Sequence, residues 1–115
     1  MLKFLIASSL LGAVIPAAHA QEASVSVSYA DLDLTSAGGV QRLDHRIDAA
    51  IRSVCGERTG QKPLSTMLAI RRCDRLTRGD VDAPRRVAIA RARGQVPSVE
   101  LALAGHSFAV VARRR

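Results

Sequence analysis

Val40-Gln41-Arg42-Leu43-Asp44-His45-Arg46-Ile47-Asp48-Ala49-Ala50-Ile51-Arg52-Ser53-Val54-Cys55-Gly56 is the stretch on which the fold turns. Val40, Leu43, Ile47, Ala50, Ile51 and Val54 recur at helical spacing and fall within about 100° of arc, the width of a core-facing stripe. Gln41, Arg42, His45, Asp48, Arg52 and Ser53 lie outside that arc. The pattern predicts a helix from about Ser36 to Val54. Thr35-Ser36 offers a cap, and Gly38 and Gly39 weaken the first turn enough to move the expected start toward Val40. Gly56 is a helix stop, and Asp48 with Arg52 four residues on is an expected surface pair.

Toward the carboxyl terminus, residues 57–63 form a polar loop, and a second helix is expected from about Ser65 to Arg78, closed by Gly79. Ala69, Ile70, Cys73 and Leu76 share one face of it, with Arg71, Arg72, Arg75 and Arg78 opposite. Asp82-Ala83-Pro84 reads as the start of a third helix running to Gly94, although Val87, Ile89, Arg91 and Arg93 also alternate. Residues 99–103 and 108–111 are apolar and flank Gly105-His106, which suits a tight hairpin turn.

Toward the amino terminus, Val25, Val27 and Tyr29 alternate with Ser24, Ser26 and Ser28, the period of a half-buried strand. Asp31-Leu32-Asp33-Leu34 carries the alternation on to Thr35-Ser36. Ahead of it, Lys3, an uncharged run over residues 4–15, Pro16 and Ala18-His19-Ala20 compose a cleavable export signal, with the cut expected between Ala20 and Gln21. The run is too short to span a bilayer, and no later segment is apolar enough to do so.

Export places Cys55 and Cys73, the two cysteines of the chain, in an oxidising space. They are expected to form a structural disulfide across 17 intervening residues, with an intermolecular bridge as the alternative. There is no Cys-x-x-Cys and no haem-attachment motif. The expected architecture is α+β: two disulfide-linked antiparallel helices plus a third, packed on a small antiparallel sheet of the first strand and the carboxyl-terminal hairpin. It is one domain over residues 21–115.

From Gln21 onward the chain carries 16 Lys and Arg against 10 Asp and Glu. That balance favours anionic partners. Fifteen of those cations are arginine, however, a skew that a GC-rich genome writes by codon bias. Tyr29 and Phe108 are too few for a base-stacking platform, so nucleic acid is not an expected partner.

Val27-Ser28-Tyr29-Ala30-Asp31-Leu32-Asp33-Leu34-Thr35, Gly39, Leu43-Asp44-His45-Arg46-Ile47, Ala49-Ala50, Val54-Cys55-Gly56, Arg71-Arg72-Cys73 and Ile89-Ala90-Arg91-Ala92-Arg93 together resemble the UrcA family. This is a family of small exported proteobacterial proteins with no established activity. The resemblance runs from about Ala23 to Arg93, and residues beyond Gly94 have no counterpart in the pattern. It implies an exported, disulfide-bonded protein and no particular chemistry.

Asp31 and Asp33 sit at alternate positions, on one side of an extended segment, where they would meet a divalent cation or a basic partner. A structural role, accepting backbone N–H bonds at a helix start, is the commoner use of such residues. His45 with Asp48 is too small a ligand set for a zinc centre, and no nucleophile elbow or phosphate loop is present. No cofactor, metal or catalytic residue is assigned. Candidate binding residues are Tyr29, Asp31 and Asp33, the arginines Arg71, Arg72 and Arg75, and the tail Arg113, Arg114 and Arg115. The expected function is that of an exported, non-catalytic accessory or binding protein of the cell envelope, periplasmic or secreted, meeting an envelope protein or an anionic surface. A periplasmic metal-binding or stress-related protein using Asp31 and Asp33 is one alternative. The other is a small hydrolase with a pocket near His45 or His106.

Overall fold

The computed structural model describes residues 23–95 and 105–113. The expected export signal with its cut at Ala20–Gln21, the first hairpin arm over 99–103, and Arg114 and Arg115 lie outside the described residues. Four elements follow in order: β1 (Ser24–Ser28), α1 (Ala37–Cys55), α2 (Leu64–Ala92) and β2 (Ser107–Val111).

Alternation governs β1. Val27 is buried and Val25 half-buried, while Ser24, Ser26 and Ser28 are exposed. β2 pairs with β1 antiparallel, Val25 opposite Val110 and Val27 opposite Phe108, so the apolar residues of both strands share one face. The pairing extends past both strand ends, where Tyr29 N donates to His106 O at 2.8 Å and Ala112 N to Ala23 O at 2.9 Å. A two-stranded sheet is marginal alone. α1 covers both strands and α2 packs on β2.

The α1 stripe is buried as its spacing predicts: Leu43, Ile47, Ala50, Ile51 and Val54 join Val27, Tyr29, Leu34, Cys73, Val81, Ala88, Val110 and Ala112 in one core. The helix begins earlier than the two glycines suggested. Ser36 caps it, its Oγ accepting from Gly39 N at 3.0 Å. Gly56, at φ 99°, ends it, and its N–H donates to Arg52 O at 2.9 Å.

The segment between β1 and α1 is not extended. Leu32 N donates to Tyr29 O and Ser36 N to Asp33 O, which fold residues 30–36 into successive turns. Asp31 and Asp33 therefore do not present a shared carboxylate edge.

The expected break between a second and a third helix is absent. α2 runs unbroken from Leu64 to Ala92, through Gly79 and with Pro84 inside it, and Pro63, not Ser65, stands at its cap position. Glycine and proline cost about 1 and 3 kcal/mol in a helix interior, and tertiary contacts offset them here. Thr77 and Val81 are buried on either side of Gly79, and Arg78 and Arg85 tie the same stretch to α1. Leu76, expected on the inner face, is 37% exposed, and Thr77 is there instead at 0%.

The disulfide joins Cys55, the last residue of α1, to Cys73 on the inner face of α2, with Cα atoms 5.6 Å apart. Asp48 then meets Arg78 and Asp44 meets Arg85. Partners descend along α1 as they ascend along α2, so the two helices run antiparallel away from the staple.

Thr77 is where the parts converge. Its Oγ1 lies 3.6 Å from Cys55 Sγ and 3.8 Å from Cys73 Sγ, and it donates to Val111 O at 3.4 Å and accepts from Arg113 N at 3.4 Å. Thr77→Val keeps the shape but leaves those strand-end groups without their partner, and is expected to cost about 1 kcal/mol, read as a shift in the urea midpoint at unchanged slope.

Candidate functional site

Four places in this frame carry polar chemistry. The first is the loop holding Asp31 and Asp33. Both Asp31 oxygens accept a forked pair from Arg46 at 2.7 and 2.6 Å, and the same guanidinium donates to Ser28 O. That hydrogen-bonded pairing lowers the Asp31 pKa to about 2 and raises that of Arg46. Asp33 Oδ1 accepts from Thr35 Oγ1 at 2.5 Å and from Thr35 N at 3.0 Å, bonds that hold its carboxyl below the usual range. Each carboxylate has a separate protein partner. A cation bridging them would have to displace Arg46 from one and Thr35 from the other.

The second is the seam between α1 and α2. Arg85 forks onto Asp44 at 2.5 and 2.8 Å, and Arg78 spans Asp48 at 2.5 Å and Asp74 at 2.9 Å. Hydrogen bonds to these carboxylates, Asp74 first for Arg78 and Asp44 for Arg85, raise both arginine pKa values. Asp48, expected to pair with Arg52 along α1, is engaged across the seam instead. Arg113, expected in a basic tail, bonds Asp80 of α2 at 2.6 Å. It fastens the end of β2 and is not a free cation.

The third place is the outward face of α2. Successive residues of an ideal helix turn by about 100°, which gathers Leu64, Leu68, Arg71, Arg72 and Arg75 within about 100° of arc, opposite Ile70, Cys73 and Thr77. Leu64 is 74% and Leu68 55% exposed. All three arginines are exposed and, among the described residues, bond no carboxylate. Asp31, Asp44, Asp48, Asp74, Asp80 and Asp82 are all committed to other arginines. The sequence identified these arginines but not the two leucines beside them.

The fourth is a cleft of about 300 Å³ where the β1–α1 loop, the last turns of α2 and the start of β2 meet. Tyr29, Leu32, Leu34 and Ala88 line its apolar part, and Arg91 and His106 supply the polar groups. Tyr29 is fixed there by donating from its hydroxyl to Gly105 O at 3.1 Å, with the rings of His106 and Phe108 about 6 Å away. Arg91 Nε is sealed from solvent and has no acceptor among the described residues. Among the described residues that line the cleft there is no serine, threonine or cysteine, and the hydroxyl beside His106 is the Tyr29 phenol, which donates to Gly105 O. His45 is exposed on α1, away from this cleft. In the sequence Tyr29 and His106 fall on separate elements, and Arg91 lies in the expected third helix with nothing to mark it among the arginines.

No helix among the described residues is long and apolar enough to cross a membrane. No family model, curated protein or solved structure matches the chain.

Proposed function

We propose that the protein is an exported, non-catalytic accessory protein of the cell envelope that docks on an anionic lipid surface through the outward face of α2. One observation carries this reading. Leu64, Leu68, Arg71, Arg72 and Arg75 stand together on the side of α2 away from the core, with no carboxylate partner among the described residues. Apolar residues that enter the headgroup region beside cations that meet anionic headgroups are the composition of an interfacial helix. The amino-terminal export pattern, the resemblance to UrcA proteins and a disulfide suited to an oxidising compartment support the location.

Vesicle flotation at physiological salt tests it. The disulfide-bonded protein is expected to bind phosphatidylglycerol-containing vesicles and not phosphatidylcholine alone. Arg71→Gln, Arg72→Gln and Arg75→Gln should each weaken partition by about fivefold, since a basic residue at such a surface is worth about 1 kcal/mol. Equal flotation of wild type and a triple glutamine variant would exclude this face. Location is tested separately by the mass of the protein recovered from the periplasm, where cleavage after Ala20 and a formed disulfide are expected.

A further inference from the structure

We propose that the cleft between Tyr29 and Arg91 binds a small amphiphilic carboxylate, such as a short free acyl acid. Its carboxylate is held by Arg91 and its chain lies on Leu32, Leu34 and Ala88. This site is independent of the α2 face and goes beyond the docking role.

The argument starts from Arg91. A guanidinium is always charged at ordinary pH, and an N–H of it withdrawn from water without an acceptor is costly. Arg91 Nε is in that condition among the described residues, while Arg46, Arg78, Arg85, Arg86 and Arg113 all have carboxylates. Among the described residues, no carboxylate lines the cleft. Asp31 and Asp33, the acidic residues of the adjoining loop, are bound to Arg46 and Thr35. The unmet requirement is for an anion with planar, paired oxygens, which a guanidinium fork matches.

The rest of the wall selects the kind of anion. Leu34 is 2% and Ala88 2% exposed, and with Leu32 and the Tyr29 ring they make an apolar surface that a bare inorganic anion would not use. A volume of about 300 Å³ lies at the lower end of small-molecule sites and suits a short chain. The wall is also pre-formed. Tyr29 N bonds His106 O at 2.8 Å and the Tyr29 hydroxyl bonds Gly105 O, so the two sides are tied before any ligand arrives.

The test is a titration of the full disulfide-bonded protein, ¹⁵N-labelled, with octanoate, following the Arg91 Nε–H resonance. Saturable binding with a shift of that resonance is expected. Octanol, acetate and inorganic phosphate should each bind at least about tenfold more weakly, because each lacks either the charge or the chain. Arg91→Gln should lose about tenfold in octanoate affinity, with Arg91→Lys between the two. The ligand series in the wild type decides the matter even where a variant fails to fold. Octanol or phosphate binding as tightly as octanoate, no saturable octanoate binding, or full affinity in a folded Arg91→Gln protein would each overturn the proposal.

Discussion

Breaking the Cys55–Cys73 bond is expected to destabilise the domain by about 3 kcal/mol, the chain-entropy value for a loop of this length. Small domains are stable by only about 5–15 kcal/mol in total, so a change of this size removes a large share. The architecture concentrates the effect. The bond sits at the end where α1 stops, and α2 beyond it toward Leu64 has few buried side chains: Ile70 is the first, and Leu64 and Leu68 are exposed. Without the staple that end of α2 is held by little else, whereas the seam from Asp48–Arg78 to Asp44–Arg85 keeps its ion pairs. A Cys55→Ala, Cys73→Ala double variant should therefore show a lower denaturation midpoint and the earliest amide exchange over residues 64–72. Uniform loss of protection along both helices would contradict this localisation.

Gly39→Ala is expected to cost about 2–4 kcal/mol, overpacking and a lost helix cap together, while Gly38→Ala one position earlier should gain about 0.5 kcal/mol. A methyl group on Gly39 would lie 1.7 Å from the carbonyl oxygen of Asp33 and 2.4 Å from its carbon. Both are backbone atoms of a turn that is itself pinned, since Asp33 O accepts from Ser36 Oγ at 2.9 Å and from Ser36 N at 3.3 Å. Either that turn opens or the Ser36 cap on Gly39 N is lost. Nothing lies within 4 Å of a methyl group on Gly38, so only the stiffer chain is felt there. Paired thermal melts of the two variants, displaced in opposite directions from the parent, are the check.

Local patterns were legible where local physics decides. The alternation Val25-Val27-Tyr29 and the stripe from Leu43 to Val54 reappear as buried faces. Cys55 and Cys73 join as their number and setting predicted. Gly79 and Pro84 misled because propensity is a weak preference, and here packing of Thr77 and Val81 outweighed it. The contacts that override it link residues 30 and 41 positions apart, a separation that no window along the chain can register. Arg91 was hidden for a different reason. In an arginine-rich composition nothing in the sequence marks which guanidinium will be enclosed, and only the meeting of Tyr29, Ala88 and His106 around it does so. Conversely Arg113 looked like a loose cation and proves to be a fastener on Asp80.

β1 and β2 stand at opposite extremes of the described chain, and each is the other's partner in the sheet. The zipper between them therefore has no second side until Ser107–Val111 has been made, and the long loop this closes makes the step slow. Until then Val25 and Val27 lack Val110 and Phe108 across from them, and the sheet under α1 stands half built.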